Sequence, residues 1–169
     1  MHLIIDGYNL LFAGRLISQM NAIELQRERD RLILLLSAYM KRKQRNITVV
    51  FDGWRTGWST EQRELKGGVE VIFSRLGERA DDVIKRMVRD KGPGAVVVSS
   101  DREIATYGEK MGVAVIPSEQ FLERLMGPAR MVEEDLELED EEERGSKRRG
   151  PSRTLSKKEK RLRIALKKL

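Results

Sequence analysis

Three observations predict that this sequence folds as a three-layer α/β domain around a central parallel sheet. Continuous apolar runs of strand length alternate with helical stretches along most of the chain. Those runs lack the polar–apolar alternation of a sheet with one wet face, as expected where helices cover both faces. Acids stand at the ends of the runs or at the starts of the helices, and the crevice outside the carboxyl ends of such strands is where ligands and chemistry collect.

The first strand is expected over residues 2–6, His2-Leu3-Ile4-Ile5-Asp6, and stops at Gly7 and Asn9. A helix follows over about 21–44, opened by Asn21-x-x-Glu24 at capping-box spacing. The second strand is 47–52 and ends in Phe51-Asp52-Gly53. Residues 53–67 show no helical pattern and read as a loop carrying Trp54, Arg55, Trp58, Arg63 and Lys66; loops of such length in compact domains are often functional. Then come a strand over 69–74, a helix over about 80–91 that starts Ala80-Asp81-Asp82, and a stop at Gly92-Pro93-Gly94. A strand over 95–100, a helix over about 102–111, a strand over 113–116 and a helix over about 118–126 complete the domain, assigned as 1–127.

Beyond Gly127 the composition changes. Residues 128–155 read as a charged linker, acidic and then basic, and 156–169 as a basic amphipathic helix with Leu162, Leu166 and Leu169 along one side. So narrow an apolar face does not hold a short helix alone in water. A partner is expected, either an external polyanionic surface or the chain's own acidic run 133–143.

Bulk composition excludes several chemistries. The 169 residues hold no cysteine and one histidine, His2, which removes disulfides, thiolate zinc sites, thiol catalysis and any two-imidazole ribonuclease mechanism. No apolar run approaches the roughly 20 residues that span a bilayer, and no charged leader opens the chain, so a cytoplasmic location and no membrane partner are expected. The net charge of +6 is unevenly spread. Residues 133–143 hold nine acids and no base, residues 144–169 carry +11, and the body before them carries +4. Basic blocks favour a polyanion.

Asp6, Asp52 and Asp101 all follow apolar strands and should project at one sheet edge, with Asp81 and Asp82 at a nearby helix start. Each has a structural alternative, because Asp caps helices and closes turns. Together they repel one another unless a cation neutralises them. Oxygen ligands suit Mg²⁺ or Mn²⁺, which would activate a water and supply what the missing histidines cannot. Asn9 could orient a water or phosphate, or cap a turn. Ser99 and Ser100 could donate to a phosphate or stabilise a turn, and Arg102 could hold a phosphate or lie solvated on the surface. Trp54 and Trp58 could stack on unpaired bases or pack the loop. His2 falls at the opposite end of its strand.

Asp6-Gly7-Tyr8-Asn9-Leu10-Leu11, Val50-Phe51-Asp52-Gly53, Arg79-Ala80-Asp81-Asp82 and Ser99-Ser100-Asp101 together resemble the NYN domain, a branch of the PIN-like nuclease superfamily, and within it the bacterial YacP-like group. The resemblance covers residues 1 to about 126 and implies a metal-dependent RNA-cleaving fold. It puts the family's first-strand acid on Asp6, its amide on Asn9, its helix-start acid on Asp81 and its later strand-end acid on Asp101. These are the expected catalytic residues. The metal site is then Asp6, Asp81 and Asp101, with Asp52 and Asp82 as further candidates. The group's ribosome-associated endoribonucleases imply single-stranded RNA, including mRNA on the ribosome, as substrate. Arg55, Arg63, Lys66, Arg102, Lys147, Arg148, Arg149, Lys157, Lys158 and Arg161 are the expected RNA contacts. Two alternatives stand beside this expectation. One is a non-catalytic RNA- or ribosome-binding module on the same fold. The other is a Toprim-type phosphotransfer domain, suggested by Asp101-Arg102-Glu103 but opposed by Asp6 where a glutamate would stand.

Overall fold

A computed structural model of the chain describes residues 1–13, 20–53, 58–127 and 157–168. Trp54, Arg55, Lys147, Arg148, Arg149, Leu169 and the span assigned as a charged linker lie outside the described residues. Among the described residues six strands, β1 (His2–Asp6), β2 (Asn46–Phe51), β3 (Gln62–Lys66), β4 (Val69–Phe73), β5 (Ala95–Val98) and β6 (Ala114–Ile116), form one sheet in the order β3-β4-β2-β1-β5-β6. All neighbours run parallel except β3, which pairs antiparallel with β4. The sheet is therefore mixed, mostly parallel, and flanked by helices. β1 sits inside it, with Asp6 opposite Val50 of β2 and Ile5 opposite Val98 of β5.

Side-chain alternation along the strands divides the core into two layers. Leu3, Ile5, Val49, Phe51 and Val71 face α1 (Gly7–Phe12), α2 (Ala22–Lys43) and α5 (Ser118–Met126). Ile4, Val50, Ile72 and Val97 face α3 (Ala80–Lys91) and α4 (Arg102–Met111), which present Val83, Ile84, Met87 and Ile104. The expected capping box is present: Asn21 Oδ1 accepts from the Ile23 and Glu24 amides at 3.0 Å, and Glu24 Oε2 accepts from the Asn21 amide at 3.0 Å.

Two elements depart from the sequence-based expectation. Residues Gly7–Phe12, to which the sequence reading assigns no element, form a short helix capped by Asp6. Within the expected loop 53–67, Gln62–Lys66 forms edge strand β3, whose half-buried and exposed residues alternate. Its apolar content is too low for a rule based on continuous apolar runs. The signal that finds it is Gly67-Gly68, where φ of 60° and 91° suits the tight turn of a hairpin.

A final helix, α6 (Lys157–Lys168), folds back on the domain. Ala165 is 4% exposed, and Leu162 and Leu166 pack against the layer that holds Tyr39, Phe121 and Leu125. Arg124 Nη1 donates to the Leu166 carbonyl at 3.1 Å. The partner expected for the apolar face is thus the chain's own body, and neither an external polyanionic surface nor the acidic run is needed to cover it. Among the described residues no helix is long and apolar enough to cross a membrane.

Candidate active site

Where the strands end, the backbone places Asp6, Asp52, Asp81 and Asp101 at one edge. Asp6 closes β1 and caps α1. Its Oδ1 accepts from the Asn9 amide at 3.1 Å and its Oδ2 from Ser99 Oγ at 3.2 Å. Asp52 follows β2 and accepts the Ala80 amide at 2.7 Å, which seats the N-terminus of α3 against the sheet. Asp101 caps α4 through the Glu103 and Ile104 amides, at 2.6 and 3.3 Å. The structural alternative for each acid is therefore realised, yet each cap uses one carboxylate oxygen and leaves charge at the shared edge.

Asp81 differs. It lies in the first turn of α3, 8% exposed, and its Oδ2 is buried without a hydrogen bond. Arg79 Nη2 stands 3.0 Å from that oxygen as an ion pair, outside hydrogen-bonding alignment. Burial raises the Asp81 pKa; Arg79 opposes the rise, and Asp101 and Asp52 add to it. Burial likewise lifts Asp6 to about 6, against the hydrogen bonds from Asn9 and Ser99 and with help from Asp81 and Asp52. These mutual effects are the electrostatic signature of four carboxylates in one neighbourhood. Asp82 is exposed, accepts the Arg79 amide at 3.2 Å, and serves as a helix cap.

Asn9 ties the edge together. Its Oδ1 accepts from the Ser100 amide at 2.8 Å and from Ser118 Oγ at 2.6 Å. Ser100 Oγ accepts from the Ser118 amide at 2.9 Å and donates to Glu119 Oε2 at 2.5 Å, and this bond lowers the Glu119 pKa. Sequence reasoning does not find Ser118 and Glu119. Their only local signal is a Ser-Glu pair at a helix start, which capping explains as well. Ser99 Oγ also accepts the Asp101 amide at 3.1 Å, linking β1 to the start of α4.

The expected RNA contacts are scattered. Arg63 and Lys66 lie on edge strand β3, with Arg63 paired to Glu61 (2.8 Å) and Glu70 (3.3 Å) and Lys66 to Glu64 (3.0 Å). Trp58 packs edge-on against Phe73, centroids 5.4 Å apart. Arg102 is exposed at the first residue of α4, next to Asp101. Lys157 and Arg161 are exposed on α6, which also holds Lys158. Arg161 lines a cavity of about 360 Å³ with Leu162, Ser99, Ser100 and Glu119. His2 lies at the far end of β1, its Nε2 2.7 Å from Thr48 Oγ1.

The oxygen donors at this edge, with Asp81 Oδ2 held only by its ion pair to Arg79, fit a hard divalent cation, and the pattern favours few direct bonds. Among the described residues no three acids are grouped closely enough to hold one ion jointly. Mg²⁺ is commonly held by one or two carboxylates and retained waters.

Comparison with known proteins agrees with this architecture. A family model described as the YacP-like NYN domain matches residues 3–164. The Bacillus subtilis (strain 168) protein YacP is 30% identical over 87 residues, which span 52% of this chain and 51% of that one. The aligned stretch is thus about half of its relative's length. The crystal structure of Rae1 (YacP) from Bacillus subtilis superposes with a TM-score of 0.60 at 24% identity, covering 86% of this chain and 84% of that one. A single-residue variant of the same protein gives 0.59 at 22% over the same shares. With a PIN-like α/β fold, and a family match that runs from β1 into α6, this chain belongs to the YacP-like NYN domain family.

Proposed function

We propose that this protein is a Mg²⁺- or Mn²⁺-dependent endoribonuclease that cuts single-stranded RNA. The observation that carries this is the buried Asp81 carboxylate, whose Oδ2 has an ion pair to exposed Arg79 and no hydrogen bond, at the edge it shares with Asp6, Asp52 and Asp101. Asp6 and Asp81 would hold the ion, with Asp101 and Asp52 reaching it through water. A bound divalent ion would polarise the phosphodiester and lower the pKa of an attacking water. The chain's own groups do the rest. The Asn9 amide and Ser99 hydroxyl orient Asp6, and Asn9 Oδ1 holds the Ser100 loop at the edge. Arg102, exposed beside Asp101, receives a substrate phosphate. Messenger RNA at the ribosome is the target that the family resemblance suggests.

A non-catalytic RNA-binding module is the alternative, favoured by the capping bonds of Asp6, Asp52 and Asp101, which a purely structural domain would also use. Titrating Mg²⁺ and Mn²⁺ into a reaction with end-labelled single-stranded RNA separates the two. Cleavage should require the metal and fall at least roughly a hundredfold in Asp81→Asn, the loss expected when a charged catalytic group is removed. Full cleavage in excess chelator, or by Asp81→Asn, would exclude the mechanism. RNA binding without cleavage at any metal concentration would favour the alternative.

A further inference from the structure

We propose that a basic face built by the last turn of α2, by Arg124 of α5 and by α6 is a docking surface for the phosphate backbone of RNA, separate from the acidic edge. Its ligand rests on the reading of RNA as substrate given above. From Arg31 to Phe51 the sequence contains no acid and five bases: Arg31, Lys41, Arg42, Lys43 and Arg45. Lys41, Arg42 and Lys43 are exposed on the last turn of α2, and Arg42 stacks over Tyr39 at 5.6 Å. Arg124, Arg42 and Arg45 all act electrostatically on the Tyr39 hydroxyl, which places them around one ring. Arg124 also binds the Leu166 carbonyl, joining this cluster to α6. On α6, Lys157, Lys160, Arg161, Arg163 and Lys167 are exposed and Glu159 is the one acid. On α5, Glu123 is the acid beside Arg124.

The distribution of ion pairs sets this face apart. Described pairs between cations and acids involve Arg63, Lys66, Arg75, Arg79, Lys85, Arg86 and Arg89, all on β3, the β4–α3 connection or α3. Among the described residues Lys41, Arg42, Lys43 and Arg124 pair with no acid. Positive charge left uncompensated on one face attracts a polyanion and concentrates it there. Position matters as much as charge. α2 ends where β2 begins, at the opposite end of the sheet from the acids; the Arg161 guanidinium lies against Gly112 at that same end, and the cavity it lines with Leu162 extends to Ser99 and Ser100. The twelve residues of α6 make a helix about 18 Å long that packs along edge strand β6. A strand held along this rail is led to an edge whose own charge repels phosphate. Arg63 and Lys66, already paired, do not serve that purpose.

The test is fluorescence anisotropy with a labelled twenty-nucleotide uridylate RNA, full-length protein and excess chelator, over a salt series. Without metal the assay reports docking alone, so its outcome is independent of whether the acidic edge cuts RNA. In K41Q/R42Q/K43Q binding should weaken roughly tenfold, and the log–log salt slope should fall by roughly 2, since each of the three side chains neutralises one phosphate. Arg163→Gln with Lys167→Gln should lower the slope as well, while Arg63→Gln with Lys66→Gln should leave it unchanged. An unmoved slope in the first variant, with thermal unfolding like the parent, overturns the proposal. So does tighter binding of polyglutamate than of RNA to the same face, which would assign it to an acidic protein.

Discussion

Asp6 carries two opposed demands in one side chain. Burial and its acidic neighbours lift its pKa from 3.8 to about 6, while two hydrogen bonds hold its ionised form in place. The native state thus keeps a proton that the unfolded chain has already released between about pH 4 and 6. Fewer protons bound on unfolding means that stability falls as pH rises through this window, with the full cost present above pH 6. Asp6→Asn keeps an oxygen for the Asn9 amide and cannot ionise. In urea unfolding it should flatten the fall and gain roughly 2–3 kcal/mol at pH 7. An unchanged pH profile would place the strain on another acid. Close contact constrains a second residue here: a Cβ at Gly53 would lie 1.8 Å from the Ser74 carbonyl oxygen, so the turn after Asp52 accepts nothing larger.

At the scale of elements, the staple at Asn9 matters most. One side-chain oxygen joins α1, the loop before α4 and the first residue of α5. Asn9→Ala leaves the buried Ser118 hydroxyl and the Ser100 amide without their acceptor, a loss of about 1–3 kcal/mol in chemical denaturation. Ser118→Ala made on that background should add little, since the shared bond is already gone. Full additivity of the two would show that they do not interact. The sequence made part of this edge legible. Asp6, Asp52 and Asp101 could be placed because strand-end position follows from apolar runs, and the sheet order brings those ends together. The Ser118–Glu119 contribution could not be seen, because it depends on how far α5 sits from α1 across 109 residues of chain. Strand β3 was hidden for a different reason. A polar edge strand lacks the apolar run that marks a covered one, and only its Gly-Gly turn gives it away.

For the whole molecule, α6 is the element whose place most differs from expectation. Helical periodicity correctly showed an apolar side at Leu162 and Leu166, but amphipathicity states only that a face is covered, not by what. Ala165, 4% exposed, is the tightest point of that seam. Ala165→Glu puts a charge there without a partner and should cost about 2 kcal/mol or more. Limited trypsin digestion would then cut within α6 before the body. Equal digestion of variant and parent would show that the helix does not depend on this contact.

The partners of Asp6 and Asn9 lie far along the chain: Ser99 is 93 residues from Asp6, and Ser118 is 109 from Asn9. Contacts of such sequence separation require the chain between them to close into a loop first, at a cost in entropy. A half-folded chain therefore holds its acids as separate, ordinarily titrating carboxylates, spread over segments that have not yet met. Their mutual repulsion, and the burial of the Asp81 carboxylate, arise only in the finished structure. The acidic edge thus belongs to the finished topology: it exists only where β1, β5 and the start of α5 have come together.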